Sequence, residues 1–385
     1  MTTSREELFG SHYSQRSVHR ALLEGLGHNL VVGAEFRRPG GRYSRVTKAV
    51  ASLALAGAGT FVGDSLHAQY DASHTEAAII QVEVANSKMD SDSAINVSAG
   101  FGLRNSYSIA NTIKNFSAEG HVWSTMYDNR GVNPANISHL LLERAQVQGV
   151  KNLALWGDSM GGTVSLEMAV AIQKSDQDIS VPYIVLENTP SSLEAVRQEQ
   201  RDNAQLLLSS TGIPLIAYSR IAQFALEVGA RHEQYLDDSF DRIAFAETAA
   251  AVRSKINDPE TPSMALMSSQ FSTIITSNVE RSIAELGKSE EYGKNKPVLV
   301  LIRPESDASD RVVNSDIMES QYRRYALESG LRLVVITMPG ISHGDPTMNQ
   351  VQYAEIVPVI VSKIEETLRR DDVADSYIDE TVDYR

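Results

Sequence analysis

Between Leu153 and Thr163 the chain runs Leu-Ala-Leu-Trp-Gly-Asp-Ser-Met-Gly-Gly-Thr. An apolar run enters a serine that has a glycine two residues before it and two residues after it. An amphipathic stretch, Val164 to Ile172, follows without a break. The pattern predicts a strand, a sharp turn and a helix, with Ser159 at the apex. Gly157 and Gly161 are required if the turn is so tight that a side chain at either place meets the neighbouring element. The serine is then held in a strained backbone conformation that pushes its hydroxyl outward. A bare Gly-x-Ser-x-Gly is common; the flanking strand and helix make this one specific.

The rest of the chain repeats the alternation. Apolar runs at 77–84, 95–99, 121–126, 181–186, 296–302 and 331–336 read as strands. Helical patterns lie at 106–116, 136–148, 315–329 and 353–370. Unbroken apolar strands alternating with helices predict a mostly parallel central sheet with helices on both faces. Residues 191–290 interrupt this order. They are helix-prone and strand-poor, with Gly212, Pro214, Gly229, Pro259 and Pro262 as breakers, and read as an inserted helical cap. The core is therefore expected at 77–190 and 291–369. The tail, 370–385, is acidic and poor in apolar residues and is expected to be disordered.

The N-terminal 45 residues are polar. Residues 46–68 form a basic-then-apolar segment: Arg37, Arg38, Arg42 and Arg45 lie just ahead of it, and Lys48 within it precedes an uncharged run from Ala49 to Val62. That run is short for a membrane span, which takes about 20 residues. It fits either the apolar part of an export signal or anchor, with Leu66-His67-Ala68 as a small-residue cleavage site, or a small-residue helix packed on the domain. Membrane association through 46–63 and both cytoplasmic and exported locations stay open. The 385-residue chain has a formal net charge of −14 and no cysteine. The first disfavours nucleic acid as a partner, because phosphate neutralisation needs clustered Lys and Arg. The second removes disulfides, thiolate metal sites and a cysteine nucleophile.

A serine hydroxyl needs a base, an acid to orient the base, and donors for the developing oxyanion. His343 stands on the Gly-flanked loop after the 331–336 strand, at the end of the sheet where α/β sheets carry their ligand chemistry. Asp307 and Asp310 follow the 296–302 strand; Asp307, nearer the strand end, is the first choice. Glu305 and Glu187 are further carboxylates at strand ends. The amides of Met160, just after the serine, and of Phe101, in Ala99-Gly100-Phe101-Gly102, are placed to receive the oxyanion.

With its elbow and its order of serine, acid and histidine, the sequence resembles the α/β-hydrolase family over 77–190 and 291–369. The resemblance implies Ser159 as nucleophile, His343 as general base, Asp307 or Asp310 as orienting acid, and Phe101 with Met160 as the oxyanion pair. It implies a serine hydrolase of the esterase or lipase kind, acting on a small-molecule acyl substrate with an apolar acyl part, and requiring neither metal nor organic cofactor. Acyltransferases, thioesterases, peptidases, cofactor-free haloperoxidases and a non-catalytic binding protein are the alternatives on the same fold. Two departures stand out: Ala99 occupies a place where many members carry histidine, and Pro304 replaces the usual glycine before the acid.

Overall fold

The computed structural model describes residues 42–86, 91–212, 214–231, 234–235, 241–258, 260–344, 349–369 and 379–383. The chain divides into two compact units, Met1–Thr60 and Phe61–Arg385. In the first, the described residues are helical from Arg42 onward, within helix α1 (Arg42–Ser73). The polar region predicted at 1–45 lies almost wholly outside the described residues.

Among the described residues, the second unit is built on one eight-stranded sheet. Its strands are β1 (Ala78–Glu83), β2 (Ser93–Ser98), β3 (His121–Met126), β4 (Asn152–Asp158), β5 (Tyr183–Glu187), β6 (Val298–Pro304), β7 (Leu333–Met338) and β8 (Asp379–Asp383). They lie in the order β1-β3-β2-β4-β5-β6-β7-β8. Only β1 pairs antiparallel, against β3; every other neighbour is parallel. Side chains along a strand point alternately to opposite faces. Every residue of β4 after Asn152 is buried, and so is every residue of β6 except Arg303. Both faces of the sheet are therefore covered, as the unbroken apolar runs predicted. This mostly parallel, doubly covered sheet with a helical insertion is the architecture that the sequence resemblance implies.

The strand order fixes where ligands can bind. From β2 the chain crosses to β3 on one side, then returns to place β4 on the other side of β2. The connections after β2 and β4 leave in opposite directions and open a crevice at their carboxyl ends. The Ala99–Gly102 loop follows β2 and Ser159 follows β4, so both border that crevice.

Helices α2 (Tyr107–Thr112), α3 (Pro134–Gln148) and α4 (Met160–Gln173) connect the first strands. In α3 the chain places Pro134 in the first turn, the Asn133 side chain accepts from the Asn136 amide, and Gly149 closes the helix at φ 74°. Between β5 and β6 lie α5 (Gln198–Thr211), α6 (Pro214–Tyr218), α7 (Arg220–Ala230), α8 (Arg242–Ile256), α9 (Met264–Thr276) and α10 (Val279–Leu286). Val228, Tyr235, Val252 and Ile256 give the insertion a small core of its own. Other parts of it join the main core: Leu266 of α9, and Val279, Ile283 and Leu286 of α10, which packs against α4 and α11 (Ser315–Ser329). The segment predicted as a cap, 191–290, thus ends in a core helix. Helix α12 (Gln350–Arg369) closes the fold.

One expectation is corrected. The tail predicted as disordered contributes β8, which pairs with β7 from Leu333↔Asp379 to Thr337↔Asp383. Strand pairing uses backbone groups, so an acidic, apolar-poor segment is still able to extend a sheet edge. The 46–68 segment is helical within α1, and no helix among the described residues is long and apolar enough to cross a membrane. From Asp64 onward this helix is tied to the insertion. Asp64 Oδ2 accepts from Ser219 Oγ at 3.0 Å and from the Ile221 amide at 3.1 Å, at the start of α7. A carboxylate there satisfies amides that the helix itself leaves unpaired.

Candidate functional site

Strand β4 delivers Ser159 at φ 51° and ψ −121°, one of two non-glycine residues at positive φ among those described. Such a conformation costs about 1–3 kcal/mol and persists only where surroundings hold it. Here the Ser159 amide donates to the Glu187 carbonyl at 2.7 Å, and the Ser159 carbonyl accepts from the Gly162 amide at 3.0 Å. The glycines answer to sterics. A Cβ on Gly157 would overlap the Gly162 backbone, and one on Gly161 would overlap the Ser98 carbonyl. Ser159 makes no side-chain cap to α4, which leaves its hydroxyl for other partners.

That partner is His343, on the loop between β7 and α12. Ser159 Oγ lies 2.8 Å from His343 Nε2, and His343 Nδ1 lies 2.9 Å from Asp310 Oδ2. Asp310 is 1% exposed. Its other oxygen accepts from the amides of Val312 and Val313, both at 2.8 Å, an Asx-type turn that leaves Oδ2 aimed at the imidazole.

The first-choice acid, Asp307, does not join this line. Its Oδ2 pairs with Arg197 Nη2 at 2.8 Å and its Oδ1 accepts from the Ser315 amide at 2.6 Å. Burial works to raise its pKa, but the guanidinium and the amide outweigh burial and hold it below the usual carboxylate range. Position along the strand end was the wrong criterion, because a short 3₁₀ turn, Asp307–Ser309, carries the chain onward and delivers Asp310 to the site. The usable signal was the apolar pair Val312-Val313 after Asp310, which anchors that turn; Val313 is fully buried and bridges to Val196. Glu305 is exposed. Glu187 is fully buried beneath the elbow, where it accepts from Trp156 Nε1 at 3.1 Å and from the Tyr353 hydroxyl.

The Ala99–Gly102 loop closes against the elbow. A Cβ on Gly100 would stand 3.1 Å from Ser159 Cβ and 3.0 Å from Asp158 Oδ2, so a larger residue would have to push the elbow back by a few tenths of an ångström. Phe101 sits at the loop's apex, 44% exposed, while Met160 opens α4 directly after Ser159. Two side chains that local sequence did not single out fix the loop. The Tyr127 hydroxyl donates to the Ala99 carbonyl at 2.9 Å. Gln270, fully buried on α9, accepts from the Gly102 amide at 3.0 Å and donates to the Leu103 carbonyl at 2.7 Å. Burial, with the Asp158 charge nearby, drives the Tyr127 phenol's pKa up, so it stays a neutral donor.

Ser159 and His343 border a cavity of about 480 Å³. Ile109, Val196, Leu207, Phe271, Ile274 and Val312 form apolar wall, with Gln200 and Asn203 on α5 as polar members. Of the apolar runs in the insertion, the one containing Leu207 reaches the cavity, whereas Val228 lies in the insertion's own core. An aligned carboxylate, imidazole and hydroxyl beside an apolar cavity is chemically able to activate the hydroxyl toward an acyl carbonyl.

No family model and no curated protein matches the chain. Solved structures do resemble it. A carboxylesterase structure from the ammonia-oxidising thaumarchaeon Nitrososphaera gargenis shares 13% identity, with 76% of this chain and 96% of that one covered and a TM-score of 0.47. MenH from S. aureus shares 14%, covering 76% and 99%, at 0.47. The monoacylglycerol lipase of Paleococcus ferrophilus shares 16%, covering 75% and 99%, at 0.43. Likenesses this distant carry no weight for the chemistry, which is read below from this chain's own residues.

Proposed function

We propose that the protein is a serine hydrolase that cleaves a carboxylic ester, or a related acyl bond, of a small molecule with an apolar acyl part. One observation carries this reading: Asp310, His343 and Ser159 stand in hydrogen-bonded line, at 2.9 and 2.8 Å, on the wall of a largely apolar cavity.

In this mechanism Ser159 Oγ attacks the substrate carbonyl carbon while His343 Nε2 takes the hydroxyl proton. Asp310 accepts from Nδ1–H, which fixes the tautomer and stabilises the imidazolium. The carbonyl oxygen becomes an oxyanion held by the amides of Phe101 and Met160. Collapse breaks the bond to the leaving alcohol, which takes the proton from His343, and an acyl-serine remains. Water then attacks, with His343 accepting its proton, and the carboxylic acid and free Ser159 are released.

The test is labelling by an alkyl phosphonate together with turnover of chromogenic esters. Wild type should be labelled at Ser159 and active, and Ser159→Ala should be neither. A folded wild type that resists the phosphonate and hydrolyses no ester, thioester or amide overturns the reading. Activity confined to thioesters or amides moves the substrate class and keeps the mechanism.

A further inference from the structure

Asn188 is the other non-glycine residue at positive φ, at 44°, and it is fully buried directly after β5. A residue in that region is held there by its surroundings. Its amide donates to the Ile302 carbonyl of β6 at 3.0 Å, and its Nδ2 donates to the Ser342 carbonyl at 2.8 Å. Glu187, one residue earlier, receives the Ser159 amide at 2.7 Å. The Glu187-Asn188 dipeptide at the end of β5 therefore touches the elbow, the strand leading to Asp310 and the loop carrying His343.

We propose that Asn188 is a positioning residue for His343, a role that rests on the hydrolase reading above. The Ser342 carbonyl belongs to the same peptide unit as the His343 amide, so holding that oxygen fixes the plane from which the imidazole projects. The loop needs such a tie. Gly340 at φ 75° and Gly344 at φ 24° flank it, and glycines restrain a backbone least. An asparagine suits the place on two counts. It tolerates the left-handed region better than most residues, and its amide supplies a donor where a carboxylate would set oxygen against oxygen. The same argument fixes the amide's orientation, since the flipped group would face the Ser342 carbonyl with its own oxygen. That orientation leaves Oδ1 buried with no hydrogen-bond partner among the described residues. A site chosen for packing alone would favour an apolar side chain.

The experiment compares wild type with Asn188→Gly, which relaxes the backbone and deletes the amide, and Asn188→Ser, whose hydroxyl is too short to reach Ser342. The readouts are kcat, KM, thermal midpoint and the far-downfield proton resonance of the His343–Asp310 hydrogen bond. A displacement of the imidazole by about 1 Å costs on the order of 100-fold. We expect kcat to fall by about 10- to 100-fold, KM to move less than about 2-fold, and the resonance to broaden or vanish. Full kcat with an unchanged resonance in either folded variant overturns the proposal, whatever happens to the thermal midpoint. An unlabelled, inactive wild type defeats the hydrolase reading instead, and the resonance still reports whether Asn188 orders His343.

Discussion

Asp310 Oδ2 lies 2.9 Å from His343 Nδ1, while its Oδ1 is occupied by the amides of Val312 and Val313. The two oxygens thus have separate tasks, and that separation makes a sharp substitution possible. In Asp310→Asn the side-chain oxygen keeps the two amides and the nitrogen turns to His343. A donor then faces Nδ1, which selects the wrong imidazole tautomer. Loss of the acid in such a line costs about 10⁴-fold in kcat. Asp310→Asn should lose that much ester turnover, whereas Asp307→Asn should stay within about 10-fold of wild type. Steady-state kinetics on one chromogenic ester decide between them.

Asp307 should matter to stability instead. Its folded pKa is depressed below 3.8 by Arg197 and the Ser315 amide, against the opposing effect of burial. A depressed carboxylate stabilises the fold fully above its unfolded pKa, and that contribution is lost as pH falls through the folded value. The pair is partly exposed, at 31% and 27%, so the effect at pH 7 is within about 1 kcal/mol. Urea midpoints of wild type and Asp307→Asn should differ at pH 7, and the gap should close as the pH falls from about 3.8 through the depressed folded value. A gap that persists in acid would show that Arg197 is not the source.

The elbow was legible because its determinants are local. Gly157, Ser159 and Gly161 sit within five residues, between an apolar run and a helical one. The choice between Asp307 and Asp310 was not, because it turns on Arg197, 110 residues from Asp307 in sequence. Gln270 and Asn188 act on partners 168 and 154 residues away, Gly102 and Ser342, and no periodicity or motif marks either. The tail failed for a different reason. Composition reports on side-chain burial, and β8 joins the sheet through its backbone.

Gln270 ties the insertion to the loop that carries Phe101. Gln270→Leu keeps the volume and leaves the Gly102 amide and Leu103 carbonyl without this partner. A buried group so stranded costs about 1–3 kcal/mol, which the loop avoids by shifting toward solvent. The shift moves the Phe101 amide away from the proposed oxyanion position, where losing a donor costs about 10²–10³-fold. We expect kcat to fall toward that range with KM little changed. A proportional rise in KM with kcat intact would assign Gln270 to substrate binding.

The cavity wall predicts chain-length selectivity. Leu207 projects from α5 into the same space as Phe271 and Ile274 of α9. Leu207→Trp should shorten that space without touching Ser159 or His343. Hydrolysis of acetyl and butyryl esters should be retained, while kcat/KM for octanoyl and longer esters falls by about 10-fold or more, since one misplaced methylene is already worth 1–3 kcal/mol. A uniform loss across the series would mean that the acyl chain lies elsewhere.

Asp64 links α1 to the insertion. Its carboxylate receives Ser219 Oγ and the Ile221 amide, while Ser219 Oγ itself caps α7 by accepting from the Ala222 amide at 3.1 Å. Asp64→Ala removes the acceptor for Ile221 and one partner of the capping hydroxyl. Loss of a helix cap costs about 1 kcal/mol, and here the cost falls on α7 rather than on the sheet. Amide exchange at Ile221 should therefore accelerate by about 5-fold, since 1 kcal/mol is that factor at room temperature. Amides of β4 and β6, which open only when the core does, should keep their protection unless the whole unit is destabilised. Faster exchange confined to the first turn of α7 would identify Asp64 as the clamp between α1 and the insertion; unchanged exchange at Ile221 would show that the contact contributes nothing.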